Sequence, residues 1–121
     1  MSEIGKSKTY DLEDRTFEFA RRVRAFVRKL TKDIPNLEDA KQVTRSSGSV
    51  GANYIEANEA LSKKDFRMRI KICRKESKES RYWLRLVNTA SDHWCEEERV
   101  ELVQEAQELT SIFGAIVTKS Q

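Results

Sequence analysis

Residues 42–56 read QVTRSSGSVGANYIE and are unusually rich in small side chains. Val43, Val50 and Tyr54, at intervals of seven and four residues, nevertheless keep to one face of an amphipathic helix through this run. Each glycine in a helix interior costs about 1 kcal/mol relative to alanine, so the packing has to offset that cost. The segment therefore predicts a helix whose small side chains let another helix approach closely.

The composition of the 121 residues favours one all-helical domain. One proline and four glycines provide little turn chemistry for a many-stranded sheet. Residues 1–10 are polar and lack periodicity, so we expect a flexible tail there and the folded domain at 11–121. Two cysteines, Cys73 and Cys95, make no disulfide framework. Because no secretory signal or bilayer-length apolar run is present, we expect a cytoplasmic protein with reduced thiols and no membrane partner.

Hydrophobic periodicity predicts four helices, with connections near Pro35, Ser62 and His93. We place the helices at about residues 12–33, 36–61, 62–91 and 96–118. Asn36 is the expected N-cap of the second helix, since asparagine side chains accept hydrogen bonds from free backbone amides. Long helices joined by short connections form an antiparallel up-down-up-down four-helix bundle, and we predict that all-α fold here.

The charge is distributed unevenly along the chain. Residues 63–90 hold ten basic and three acidic side chains, whereas residues 91–121 hold two basic and seven acidic ones. Six basic residues of the third helix recur at intervals of four and three and share one narrow face, which we call the basic stripe: Arg67, Lys71, Arg74, Lys78, Arg81 and Arg85. Such a face is a candidate contact for the phosphates of nucleic acid. The alternatives are a solvated helix face or pairing with the acids of the fourth helix.

Tyr82 lies next to the basic stripe and is close enough to stack on a base. One tyrosine alone is less than the aromatic platform that single-strand binding proteins use. Trp94, near the start of the fourth helix, is expected to plug the core or an interface, and Cys73 is expected to be buried as a small hydrophobe.

A second set of candidates is polar and lies on the second and third helices: Arg45, Asn53, Glu56, Glu76 and Glu79. Glu76 and Glu79 are three residues apart, the spacing at which two carboxylates can share acid–base chemistry or a metal. The interpretation we favour is a buried network that fixes helix register and subunit contacts. His93 is the single histidine and belongs to no Glu-x-x-His pair, so we predict no metal and no cofactor. The serines lack a histidine base, and no Gly-rich phosphate loop is present, so we predict no enzyme.

The third and fourth helices carry more apolar surface than a four-helix core covers, which indicates contacts between copies of the chain. An ordered set of residues spread over about residues 15–117 adds a family resemblance. These residues are Leu30, Pro35, Glu38, Gln42, Arg45, Ser49-Val50, Asn53, Ile55-Glu56, Asp65-Phe66, Ile72, Ser77 and Glu79. The set resembles the small four-helix bundle proteins of the 23S rRNA intervening-sequence family, which includes relatives of the accessory protein of diversity-generating retroelements.

The resemblance implies a ring-like homopentamer of bundles, no catalytic activity and, for some relatives, association with nucleic acid. Together with the basic stripe, it predicts a non-catalytic oligomeric scaffold or adaptor. We expect its basic surface to bind RNA or DNA, with RNA favoured, or a nucleoprotein partner. The alternative is a purely structural or protein-binding oligomer that binds no nucleic acid.

Overall fold

The computed structural model describes residues 11–121, and no strand occurs within that range. Four helices follow one another within these described residues: α1 (Leu12–Lys29), α2 (Ile34–Asn58), α3 (Lys63–Leu86) and α4 (His93–Lys119). The expected all-helical class with four helices is therefore confirmed. The predicted N-terminal tail, residues 1–10, lies outside the described residues.

Each of the four helices begins at a side chain that caps its free backbone amides. Asp11, Asp33, Ser62 and Asp92 accept hydrogen bonds from the backbone N–H three residues later, at 2.8, 2.9, 3.0 and 2.8 Å. Such caps satisfy amides that have no partner within the helix and stabilise each helix start by about 1 kcal/mol. The predicted start of α3 at Ser62 is confirmed.

Contacts between neighbouring helices show that the helices alternate in direction. Arg15, near the start of α1, meets Glu105 in the middle of α4 at 2.7 Å, and Arg22, two turns later in α1, meets Glu98 near the start of α4 at 3.0 Å. In the same way α2 runs against α3, α1 against α2 and α3 against α4. Each helix therefore packs on two neighbours and turns its two remaining flanks toward solvent or toward another copy.

The interior combines large apolar side chains with small ones at the helix contacts. Phe19, Phe26 and Phe113 are fully buried. Gly51 on α2 lies so close to α1 that an added Cβ would stand 2.9 Å from the Thr16 hydroxyl oxygen. Ser46 of α2 and Ser80 of α3 share a buried hydrogen bond of 2.7 Å. The small-residue run thus brings α2 close to α1 on one side and to α3 on the other.

The first connection corrects the expected helix boundaries. α1 ends at Lys29 rather than near Asp33, because Leu30 adopts an extended conformation and enters the core. Asp33, not Asn36, caps α2, and Pro35 occupies the first turn, where its missing N–H removes no helical hydrogen bond. Asn36 is buried and donates to the carbonyl oxygens of Thr31 and Asn88, at 3.0 and 2.8 Å. It therefore ties the first connection to the third.

The remaining boundaries also differ from the prediction. α2 ends at Asn58 rather than near residue 61, and α3 ends at Leu86 rather than near residue 91. Ala90 and Ser91 have φ values of 55° and 60°, which a right-handed helix cannot accommodate. The last helix is capped by Asp92 and begins at His93 instead of Glu96.

Trp94 does not plug the core. Its side chain is 45% exposed, and the Lys29 ammonium lies 5.6 Å from its ring centroid, within the range of a cation–π contact. The neighbouring Cys95 takes the buried position at this end of the bundle. Cys73 is buried as predicted, and its thiol donates to the Val50 carbonyl oxygen at 3.4 Å.

Candidate nucleic-acid interface

The basic stripe lies along the edge of α3 that faces α4. The Cδ atom of Arg74 lies 3.7 Å from the position that a Cβ on Gly114 of α4 would take, so its aliphatic part rests on that helix. The three exposed members of the stripe are Lys71, Lys78 and Arg85. The half-buried members are Arg67, Arg74 and Arg81. The stripe therefore consists of three half-buried arginines and three cations that are exposed to solvent.

A groove of about 630 Å³ runs between α3 and α4 over the middle of the stripe. Four of the stripe residues line it, together with Lys75, Glu79, Gln107 and Thr110: Lys71, Arg74, Lys78 and Arg81. The α4 side of this groove is uncharged, since Gln107, Thr110 and Gly114 follow one another at helical spacing there. The groove therefore concentrates positive charge against a neutral wall.

Four acids of α4 lie on its opposite flank and face α1. Arg15 binds Glu105 and Glu108, both at 2.7 Å. Arg22 binds Glu98 and Glu101, at 3.0 and 2.8 Å, respectively. We call this set of six charged residues the paired seam. α1, and not the basic stripe, supplies the ion-pair partners of these four acids.

Hydrogen bonding within the paired seam changes the acidity of its members. The Glu105 carboxylate raises the pKa of the Arg15 guanidinium, and the Glu98 carboxylate raises the pKa of Arg22. Burial opposes both shifts but is outweighed. The pKa of Glu108 is lowered, first by the hydrogen bond from the Gln104 amide and then by that from Arg15. These charges are therefore engaged in holding α1 to α4.

The basic stripe has no comparable partners. Among residues 11–121, no carboxylate comes within 4.0 Å of a nitrogen of any of its six side chains. The Nε–H groups of Arg67 and Arg81 are buried and find no hydrogen-bond acceptor in this part of the chain. Burying a donor without an acceptor costs free energy and is rare in folded proteins, so these two Nε–H groups are unusual. Of these two arginines, Arg81 lines the groove.

The polar candidates divide into separate contacts between α2 and α3. Arg45 lies 3.3 Å from Glu76 and 3.5 Å from Glu79, and the Glu76 side chain is 7% exposed. Asn53 accepts a hydrogen bond from Arg69 at 3.0 Å and donates to the Ser49 carbonyl oxygen. Glu56 is exposed and lies outside both contacts. The five residues therefore do not form one continuous network.

This polar arrangement pairs α2 with α3. The Arg45 guanidinium lies between two carboxylates and compensates the charge of the buried Glu76. No group of three or more His, Cys, Asp or Glu side chains capable of holding a metal occurs among residues 11–121. The contact therefore fixes α2 against α3 in register.

Sequence reasoning missed several residues that the fold uses. Arg69 was not among the polar candidates, although it joins α3 to Asn53 of α2. The signal for the paired seam was present, since Arg15 and Arg22 are seven residues apart and the four α4 acids are spaced three, four and three. Matching two such rows requires knowing which helices are neighbours, and the fold supplies that information.

Comparisons with known proteins agree with the architecture. A family model described as 23S rRNA-intervening sequence protein matches residues 8–115. The chain is 27% identical to a Bacteroides thetaiotaomicron VPI-5482 protein of unknown function from the S23 ribosomal protein family, whose crystal structure was solved at 1.70 Å. The two superpose with a TM-score of 0.74, covering 88% of this chain and 98% of that one. No curated protein matches the chain.

Proposed function

The chain belongs to the 23S rRNA-intervening sequence protein family, and from that premise we propose that it is a non-catalytic oligomeric scaffold that binds RNA. The observation that carries the proposal is that the basic stripe makes no ion pair within residues 11–121, while the carboxylates of α4 bind Arg15, Arg22, His93 and Arg99. Cations kept free of carboxylates bind phosphates through charge-assisted hydrogen bonds and counterion release.

The contacts favour binding of the phosphate backbone over recognition of a base sequence. Arginine and lysine side chains along one helix edge position a nucleic acid strand, whereas sequence is read at base edges. RNA is favoured over DNA because the family description refers to an intervening sequence of 23S rRNA. We therefore expect affinity with little sequence specificity. A nucleoprotein partner that exposes phosphates would engage the same surface.

Self-association has its own support in the exposed apolar surface of α1 and α2. A groove of about 410 Å³ lies between these helices, and Phe17 and Ile55 on its walls are 68% and 47% exposed. We infer that another copy covers this groove in a ring-like homo-oligomer, for which the family resemblance suggests five copies. A ring repeats the basic stripe, so weak phosphate contacts add through multivalency.

Two further features concern the setting of this function. None of the helices within residues 11–121 combines the length and apolar character that spanning a bilayer requires. Cys73 and Cys95 are buried free thiols, which fits the cytoplasmic location that we propose. A purely structural or protein-binding oligomer is the competing function, and it predicts no affinity for nucleic acid.

The decisive experiment measures binding of an unstructured RNA and a DNA of equal length as a function of salt. We expect affinity to fall linearly with salt on a double-logarithmic plot, and the charge-reversal variant Arg74→Glu/Lys78→Glu/Arg81→Glu to lose binding. The matched control, Lys32→Glu/Lys41→Glu/Lys119→Glu, changes net charge equally at exposed sites outside the stripe. It should retain most of the affinity.

Two results would remove the proposal. Wild-type protein that binds neither probe at low salt leaves the structural oligomer as the better function. The same holds if the stripe variant binds as tightly as wild type while circular dichroism and light scattering show an unchanged fold and mass. A light-scattering mass of one chain at micromolar concentration would separately remove the oligomer.

A further inference from the structure

A second row of exposed side chains runs along α3 beside the basic stripe. We call it the ledge, and its members recur at intervals of seven, seven and four: Met68, Lys75, Tyr82 and Leu86. This spacing keeps them on one face of a helix. Met68, Tyr82 and Leu86 are 44, 55 and 50% exposed, so three large apolar or aromatic side chains stand open to solvent next to a row of cations.

The ring of Tyr82 is supported by its neighbour in the chain. Trp83 packs partly buried against the core, and its ring meets that of Tyr82 edge to face, with centroids 5.0 Å apart and planes at 78°. This geometry is one of the favourable arrangements of two aromatic rings. The contact restricts the motion of Tyr82 while leaving more than half of its surface accessible. A positioned, exposed aromatic ring is suited to stacking.

Tyr82 is also flanked by cations along the helix. Lys78 precedes Tyr82 by four residues and Arg85 follows it by three. At this helical spacing the Cβ atom of each lies about 5–6 Å from the Cβ atom of Tyr82. Lys78 and Arg85 are exposed members of the basic stripe. Glu79, three residues before Tyr82, lies 3.5 Å from Arg45. An aromatic face thus stands between two available positive charges.

We propose that this surface takes single-stranded RNA, with an unpaired base stacked on Tyr82 and the adjoining phosphates bound by Lys78 and Arg85. The inference rests on the proposed function, to which it adds the class of nucleic acid. Single strands expose base faces for stacking on aromatic side chains, whereas a duplex keeps its base faces stacked inside. A duplex therefore contacts the cations of the stripe but gains nothing from Tyr82.

The test compares three RNA probes of equal length at fixed salt: an unstructured strand, the same strand paired with its complement, and an abasic strand that keeps the phosphates. The variants are Tyr82→Ala, Tyr82→Phe and, as a matched control, Trp94→Ala, which removes another exposed aromatic side chain away from the stripe. Light scattering of each variant reports its assembly.

We expect wild type to bind the unstructured strand more tightly than the duplex. Tyr82→Ala should weaken binding of the unstructured strand about tenfold, because it removes one stacking contact between a base and an aromatic side chain. Binding of the duplex and of the abasic strand should stay unchanged. Tyr82→Phe keeps the ring and should restore wild-type affinity, and Trp94→Ala should bind as wild type does.

Distinct results would overturn the inference. If wild type binds the duplex as tightly as the single strand, or Tyr82→Ala has no effect, the stripe binds phosphates without stacking and the proposed function stands alone. If wild type binds no probe, the proposed function fails and this inference fails with it. If Tyr82→Ala changes the mass in light scattering, the ledge is a contact between copies rather than a surface for RNA.

Discussion

Helix α4 is bordered by two sets of basic side chains, and it meets them differently. On the α1 flank, Arg15 and Arg22 each bind two carboxylates at 2.7–3.0 Å. On the α3 flank, the basic stripe meets Gln107, Thr110 and Gly114, which carry no charge. Two rows of cations that look alike in the sequence therefore differ in role. The first pairs two helices, and the second makes no ion pair within residues 11–121.

The physical reason for the paired seam lies in the packing of α1. Its contact with α4 is the smallest between neighbouring helices of this bundle. Isolated surface ion pairs contribute little to stability, but bidentate and networked pairs with restricted solvent access contribute more. Arg15 and Arg22 make such pairs, with side chains that are 25% and 32% exposed. Electrostatics thus supplements a limited apolar contact on this flank.

The largest expected effect comes from adding carboxylates to the α4 side of the groove, so that they can form ion pairs with the basic stripe. Gln107→Glu/Thr110→Glu places two carboxylates opposite the basic stripe without altering any stripe residue. Because each new ion pair removes a cation from phosphate binding, we expect RNA affinity at low salt to fall by about tenfold to a hundredfold. The salt dependence should become less steep. Titrations at several salt concentrations measure both, and an unchanged affinity would show that RNA does not bind at this groove.

A comparison of two glycines probes how open the two sides of the bundle are. Gly51→Ala should lower the free energy of unfolding by about 1–3 kcal/mol, because its Cβ would lie 2.9 Å from the Thr16 hydroxyl oxygen and 3.3 Å from the Thr16 Cβ. Gly114→Ala, in contact at 3.7 Å with a flexible arginine, should stabilise the protein by up to about 1 kcal/mol. Urea denaturation measures both. Equal effects at the two sites would contradict the difference in packing.

Single alanine substitutions separate structural cations from available ones. Arg22→Ala should destabilise the fold by about 1–2 kcal/mol, since it leaves Glu98 and Glu101 without their partner. It should leave RNA affinity unchanged, because Arg22 lies outside the basic stripe. Lys78→Ala, at an exposed stripe position, should leave stability within about 0.5 kcal/mol of wild type and weaken RNA binding. Denaturation and binding titrations are both run on each variant. If the effects are exchanged, the two rows have been assigned the wrong roles.

The smallest effect concerns pH. The pKa of Glu108 lies below its ordinary value of 4.5, so its contribution to stability is present above that value and is lost as pH falls through the lowered pKa. Thermal unfolding should therefore occur at a lower temperature as the pH drops below about 4.5, and Glu108→Gln should reduce this dependence. A rise in the unfolding temperature on acidification would contradict the role of the paired seam.

The boundaries of the helices illustrate what local sequence rules miss. Ser62 was identified as a cap because a side chain and an amide three residues apart suffice to make that contact. Asn36 also suits a cap by its residue type, but its side-chain amide instead bonds to Asn88 and joins the first connection to the third. Large aromatic residues usually plug a core or an interface, which is the expectation for Trp94, yet Cys95 is the residue that the first turn of α4 buries. Long-range contacts override local preference in both cases.

The sequence alone determined the helical class, the four-helix division and the face on which the six basic residues lie. These properties depend on spacing along one helix, which the 3.6-residue period transfers directly from chain to surface. The tertiary structure decided which helix stands opposite each face. It paired the α4 acids with α1, left the basic stripe against a neutral wall and divided the polar candidates among separate contacts. Charge compensation depends on neighbours within a few ångströms, and only the packing of the helices brings those neighbours together.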